Sequence, residues 1–197
     1  MPTPASLPTL VQLSELGSLN VSEAVRVVGS CFSHQDCKDD IRNVYTNYAN
    51  GVKRMVSFGQ DVELLRYEAL TSGPRVVGAG GIYRVVGESS GICWLGWLGV
   101  DPLLQGQGLG STLLKRLFSI AQNFDAQEIK VYTPAYLAEY AQCRAVYKHL
   151  GFVHRPEEDF IHPVTGDDVV EHMLVKPITK ALPNDLSCFS FPASAQR

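Results

Sequence analysis

Hydrophobic positions recur along this chain with two different periods, and the changes of period divide it into elements. After a proline-rich opening, LVQLSEL (residues 10–16) predicts an edge strand. A helix is expected from about Val21 to Phe32, with Asn20 or Ser22 available to cap it. Ile41, Val44, Tyr45, Tyr48 and Val52 then fall at i, i+3, i+4, i+7 and i+11, the apolar stripe of a second helix. Asp39 and Asp40 in its first turn and Lys53 and Arg54 in its last would suit the helix dipole. The period then drops to two over DVELLRYEAL, RVVGAGGIYRVVG and GICWLGWLGV, three consecutive strands. GESSG, residues 87–91, joins the last two as an antiparallel hairpin.

From Val100 onward helices and strands alternate. A helix is expected over about 107–123, burying Leu109, Leu113, Leu117 and Ile120, followed by the strand EIKVYT. A helix over about 137–150, a short strand at GFVHR and a last strand DVVEHMLVK complete the pattern. This order predicts one α+β domain over residues 9–176, with a central mixed, mostly antiparallel sheet of about seven strands flanked by about four helices. Residues 1–8 read as a flexible start and 177–197 as an arm or an unstructured tail.

Composition narrows the function classes. The 197 residues are 45% hydrophobic and 19% charged, with a formal net charge of −3. No positive field favours nucleic acid or an anionic membrane surface. The opening MPTPASLPTL has neither a basic n-region nor a long apolar core, so no signal peptide is expected. The apolar runs are too short and too broken by glycine to span a bilayer. Cys31, Cys37, Cys93, Cys143 and Cys188 contain no CxxC pair and no metal-ligand spacing. Reduced thiols in a cytoplasmic protein without a metal are the expectation, with Cys93 an inert thiol in an apolar strand.

The chemistry begins at VDPLLQGQGLGSTLL, residues 100–114, where three glycines stand at the start of a helix. Glycine inside a helix costs up to about 1 kcal/mol relative to alanine. A glycine-rich turn between a strand and a helix makes an anion site, because the first amide N–H groups lack helical partners and carry the positive end of the dipole. The P-loop spacing GxxxxGK[ST] is absent, and Gly106, Gly108 and Gly110 give GxGxG rather than the dinucleotide GxGxxG. Three antiparallel-type strands precede the turn, which also disfavours a nicotinamide site.

Leu98, Val100, Pro102, Gln105, Gly108 and Gly110 read LxVxPxxQxxGxG. This resembles the acyl-CoA-binding motif of the GNAT superfamily of N-acetyltransferases. YAQCRAVYKHLGF, residues 140–152, resembles that family's second signature, with Tyr147, Gly151 and Phe152 matching Yx3GF. The resemblance covers about residues 60–176 and implies a GNAT-like fold. Where the family often carries an asparagine seven residues before the tyrosine, this chain has Tyr140.

The resemblance implies acetyl transfer from acetyl-CoA to a primary amine by direct attack in a ternary complex. It places the pantetheine arm in a gap between the LxV strand and EIKVYT, against the backbone of Leu98, Gly99 and Val100. The amides of Gln105, Gly106, Gln107, Gly108, Leu109, Gly110 and Ser111 would wrap the pyrophosphate. An N–H near Leu98 would polarise the thioester carbonyl, and Tyr147 stands where the family places the acid that protonates the leaving thiolate. The strand GICWLGWLGV carries no carboxylate, so a water chain to backbone carbonyls is the expected proton acceptor. Glu88 and Glu139 are solvated alternatives, and His34, His149 and His154 are candidates by type alone. Family precedent puts the acceptor near Phe32, His34, Tyr45, Tyr48, Glu157, Glu158, Asp159, Phe160 and His162, which leaves a small molecule, an antibiotic and a protein amine open. A homodimer is compatible with all of this. A non-catalytic acyl-CoA-binding module is the alternative, motivated by the missing strand glutamate, and another phosphate-ligand binder rests on the glycines alone.

Overall fold

The computed structural model describes residues 8–134, 141–161 and 170–178. Edge strand β1 (Thr9–Gln12) runs into a 3-10 turn (Leu13–Glu15), then helices α1 (Ser18–Gly29) and α2 (Gln35–Ala49). The meander comprises β2 (Arg54–Ser57), β3 (Gln60–Ser72), β4 (Arg75–Val85), β5 (Ile92–Leu95) and β6 (Gly99–Val100). Helix α3 (Leu109–Asn123), β7 (Glu128–Pro134), α4 (Ala141–His149), β8 (Val153–His154), β9 (Phe160–Ile161) and β10 (Val170–Pro177) follow.

All ten strands belong to one sheet with the order β1-β3-β4-β5-β7-β10-β8, while β2 pairs with β3, β6 with β4 and β9 with β10. Every described pairing is antiparallel except that of β5 with β7. The α+β architecture with a mixed, mostly antiparallel sheet expected from the alternation of periods is present. Strand alternation divides the interior into two cores. Ala24, Val28, Ile41, Val44, Tyr45 and Tyr48 of α1 and α2 pack on Val62, Leu64, Tyr67 and Ala69. Leu113, Leu117, Phe118 and Ile120 of α3 pack on Ile82, Leu95, Ile129, Val131 and Leu174, joined by Val146 and Tyr147 of α4.

Several expected boundaries move, each for a local reason. Helix α1 starts at Ser18 with Gly17 as its N-cap, so neither Asn20 nor Ser22 caps it. Helix α2 starts at Gln35, which places Asp36 in the first turn and Asp39 and Asp40 in the next. Lys53 lies beyond its end, and Arg54 opens the unforeseen strand β2. The β2–β3 turn uses Phe58 (φ 46°) and Gly59 (φ 77°), both left-handed, which matches the twist of a two-residue hairpin.

The most consequential change is that GICWLGWLGV is two strands. Three residues, Gly96 to Leu98, separate Leu95 from Gly99, opposite only Gly80 and Gly81 of β4. The extra residue is a β-bulge. The Tyr67 ring, fully buried on β3, fills the space where a Cβ on Gly81 or Gly96 would stand, so both positions beside the bulge require glycine. Residues 135–140, 162–169 and 179–197 lie outside the described residues, and with them Glu139, Tyr140, His162 and the tail; so do residues 1–7.

Candidate active site

Strands β5 and β7 run parallel through Ile92↔Glu128, Cys93↔Ile129 and Trp94↔Lys130, and their pairing ends there. Beyond the bulge β6 pairs with β4 through Gly78↔Val100 and Ala79↔Gly99, whereas β7 continues against β10 as far as Glu171↔Pro134. The two strands therefore part where the chain reaches Leu98. On β6, Gly99 is a packing requirement, since a Cβ there would sit 2.8 Å from Cys31 Sγ and 3.1 Å from Val28 Cα of α1. The Val100 carbonyl accepts from Gln105 Nε2 (3.2 Å) and from the Cys31 thiol (3.4 Å). Burial pushes the Cys31 thiol above its ordinary pKa, although the Val100 bond pulls the other way.

After β6, Asp101 caps a short 3-10 turn by accepting from Leu103 N at 3.0 Å, and the chain reaches the glycines. Gly106 (φ 80°) and Gly108 (φ 79°) are left-handed, a conformation costing other residues about 1–2 kcal/mol. Gly108 is the N-cap of α3 and has no side chain to satisfy the helix amides. Thr112 N is the first amide bonded back to it, at 3.0 Å. Among the described residues, no protein group accepts from the N–H groups of residues 105–111. Gly110 is informative for a different reason. Its Cβ would meet only a Val100 methyl at 3.8 Å, so the protein's own packing does not exclude a side chain there.

Tyr147 stands on α4, half-buried against the α3 core, with its ring 5.3 Å from that of Phe152 in a T-shaped contact. Burial, and to a lesser degree the nearby Cys143, raises its phenol pKa well above the ordinary value, so it stays neutral across the physiological range. Leu98 and Tyr147 pack on the same core, below the parting strands.

The opposite face, under α1 and α2, holds groups that sequence patterns did not single out. Trp97, in the bulge, is packed edge-on by Phe32 (4.9 Å) and Phe58 (5.4 Å). Its indole Nε1 donates to Asp40 Oδ2 at 2.7 Å, and its carbonyl accepts from Tyr45 Oη at 2.8 Å. Tyr45 and Tyr48 are core residues rather than a lining. Burial, with the charges of Asp40 and Glu88, raises the pKa of Tyr83. Glu88 is bonded within the protein, since it accepts from Trp94 Nε1 at 2.6 Å and Lys130 Nζ at 3.1 Å. Glu158 takes the other side of Lys130 at 2.7 Å, and Asp159 receives His154 at 2.9 Å. The expectation that Glu88 is merely solvated is thus corrected, and Glu158 and Asp159 are likewise engaged within the protein. His34 is an exposed residue at the N-cap of α2.

Glycine-opened helix, parting strands and half-buried tyrosine together define an acyl-CoA acyltransferase fold. Residues 67–154 match the model of the acetyltransferase (GNAT) domain. The uncharacterised N-acetyltransferase YjgM of Escherichia coli (strain K12) is 35% identical over 79 residues, 40% of this chain and 46% of that protein. The matched region therefore spans about half the length of that relative. A Desulfovibrio desulfuricans protein described as of the GNAT family superposes with a TM-score of 0.70 at 14% identity, over 88% of this chain and 100% of that one. The structure of yncA from Salmonella typhimurium with its cofactor acetyl-CoA gives 0.61 at 15% identity, over 91% and 98%. The fold is that of the GNAT acetyltransferases, and residues 67–154 carry the match to that domain.

Proposed function

We propose that this protein transfers an acetyl group from acetyl-CoA to a primary amine, with both substrates bound at once. The observation that carries the reading is the opening of α3, where a run of amides without protein acceptors stands beside two strands that have parted. The residues fit the coenzyme. Gly106 and Gly108 free the backbone to approach a diphosphate, and Gly110 leaves room that the protein itself does not fill.

Acetyl-CoA supplies the acyl group as a thioester. The amides of Gln105 to Ser111 hold the diphosphate, and the backbone of Leu98, Gly99 and Val100 aligns the pantetheine in the gap. The N–H near Leu98 steadies charge on the carbonyl oxygen. Tyr147 keeps its proton and gives it to the departing sulfur. Water molecules held by backbone carbonyls pass the amine's proton out to bulk solvent, because Glu88 is committed to Trp94 and Lys130. The acceptor approaches over Phe32, Phe58, Trp97 and the Asp40 carboxylate, a wall of apolar and anionic character suited to an amine. Free thiols at Cys31, Cys37, Cys93 and Cys143 suit a reducing, cytoplasmic setting.

The test incubates the protein with acetyl-CoA and a panel of small amines, aminoglycosides and peptides bearing free N-termini or lysines, while thiol release is followed. Amine-dependent release supports the reading. Tight CoA binding by calorimetry with no release from any amine would favour the non-catalytic acyl-CoA-binding module. Failure to bind CoA would remove both.

A further inference from the structure

Among the described residues, one hydroxyl is buried without a partner. Thr133 on β7 is 4% exposed, and its Oγ1 makes no hydrogen bond among the described residues. Arg84 Nε is the other such atom, but that guanidinium is anchored through Nη2 to the Phe124 carbonyl at 2.6 Å. A buried hydroxyl left unbonded is costly, and native structures keep such groups where a ligand or water completes them.

The position of Thr133 says which ligand. Side chains alternate along β7, with Ile129 and Val131 in the core under α3 and Tyr132 against Trp94 and Met173 on the other face. Thr133 shares the face of Val131 and Ile129, and hence of α3, α4 and Tyr147. The β5–β7 pairing ends at Lys130, so Thr133 stands three residues past the last pair, where β6 has turned away toward β4. Its backbone lies opposite His172 in the antiparallel pairing with β10. Valine has the same shape and an equal liking for strands. The empty protein gains nothing from the hydroxyl.

We propose that Thr133 is a binding residue for the acyl-pantetheine chain, its hydroxyl donating to an amide carbonyl of that chain between β6 and β7. This rests on the coenzyme reading above, and it adds a side-chain contact on β7 to a cradle otherwise made of backbone. It also explains why a polar residue interrupts an apolar face.

Calorimetry of the whole chain and of Thr133→Val, with CoA and with 3′-phosphoadenosine 5′-diphosphate, tests the assignment, since the second ligand carries the phosphates without the pantetheine. Thr133→Val is expected to weaken CoA about five- to tenfold and to leave the pantetheine-free ligand unchanged. Its ligand-free melting midpoint stays level or rises, and Thr133→Ser restores most of the CoA affinity. Undiminished CoA binding by Thr133→Val, equal weakening of both ligands, or a lowered ligand-free midpoint would each overturn the assignment. Wild-type protein that binds neither ligand overturns the coenzyme reading and this contact with it. Normal wild-type binding beside an unimpaired Thr133→Val overturns the contact alone.

Discussion

Asp40 Oδ2 accepts hydrogen bonds from Trp97 Nε1 at 2.7 Å and from Ser57 Oγ at 2.8 Å, so one carboxylate oxygen joins α2, the end of β2 and the bulge between β5 and β6. Both donors are half-buried and neutral, and a charged acceptor makes such bonds shorter and stronger. Asp40→Ala strands the two donors and is expected to cost about 1–3 kcal/mol in urea unfolding. Asp40→Asn keeps an acceptor oxygen and costs less. In steady-state assays both variants should raise the acceptor KM and leave CoA affinity within about twofold of wild type, because Asp40 lies on the face under α1 and α2. A loss of CoA affinity equal to the loss in acceptor KM would show that the bulge, not the acceptor wall, depends on Asp40.

Gly108 and Gly110 separate two demands on the same turn. Gly108 is left-handed at the N-cap, so Gly108→Glu adds backbone strain of about 1–2 kcal/mol and sets a negative charge where the diphosphate would sit. Folded protein by circular dichroism with no calorimetric CoA binding is the expected result. Gly110 has ordinary backbone and an open Cβ position. Gly110→Ala should therefore stabilise the ligand-free protein by up to about 1 kcal/mol through helix propensity while weakening CoA. An alanine variant that binds CoA normally would mean that no ligand approaches this residue.

The sequence announced α3 to within two residues of its start, because a glycine N-cap and the stripe Leu113, Leu117, Ile120 act locally. The two long strands β3 and β4 and the antiparallel β4–β5 hairpin at GESSG were equally plain from the change of period. Relationships across long chain separations were hidden. Tyr67, two strands away on β3, packs against Gly96 at the break in GICWLGWLGV, and nothing within that decapeptide marks the break. Asp40 and Trp97 lie 57 residues apart, and each looks ordinary where it stands. QDCKDD contributes almost no apolar stripe, so the first turn of α2 was invisible to periodicity. Thr133 reads as one more β-former until its hydroxyl is seen to lack a partner.

Tyr147→Phe removes one oxygen from a ring whose packing against Phe152 stays the same. CoA affinity should change by less than about twofold. With the acid role in place, kcat should fall by about a hundredfold, at the low end for a positioned proton donor. Because burial raises the phenol pKa, the proton stays on Tyr147 until pH rises beyond the ordinary tyrosine range of about 10. Any basic limb in the wild-type kcat profile at lower pH must come from another group and should persist in the variant. A variant with full kcat would remove Tyr147 from the chemistry.

Lys130 is the centre of a charge network whose pH dependence can be worked out in sign. Burial acts to lower its pKa, but hydrogen bonds to Glu158 and Glu88 outweigh burial and leave it raised. The Lys130 bond, with help from Arg155, holds the Glu158 carboxyl below its ordinary range against the effect of burial. A lowered carboxyl stabilises the fold above its unfolded pKa of about 4.3, and that contribution disappears as pH falls through the folded value. A raised amine stabilises below about 10.4, and its contribution disappears as pH climbs through the folded value. The network is therefore at full strength between about pH 5 and pH 10. Lys130→Met leaves Glu88 and Glu158 without the shared cation and should cost about 3 kcal/mol at pH 7. Its deficit against wild type should shrink below about pH 4, as pH falls toward the lowered Glu158 value and that carboxylate takes up a proton and no longer needs the amine. Urea unfolding of both proteins at pH 7 and pH 3.5 measures this convergence, and a deficit constant across that range would mean that Lys130 acts through packing on Trp94, 5.5 Å from its ammonium, rather than through charge.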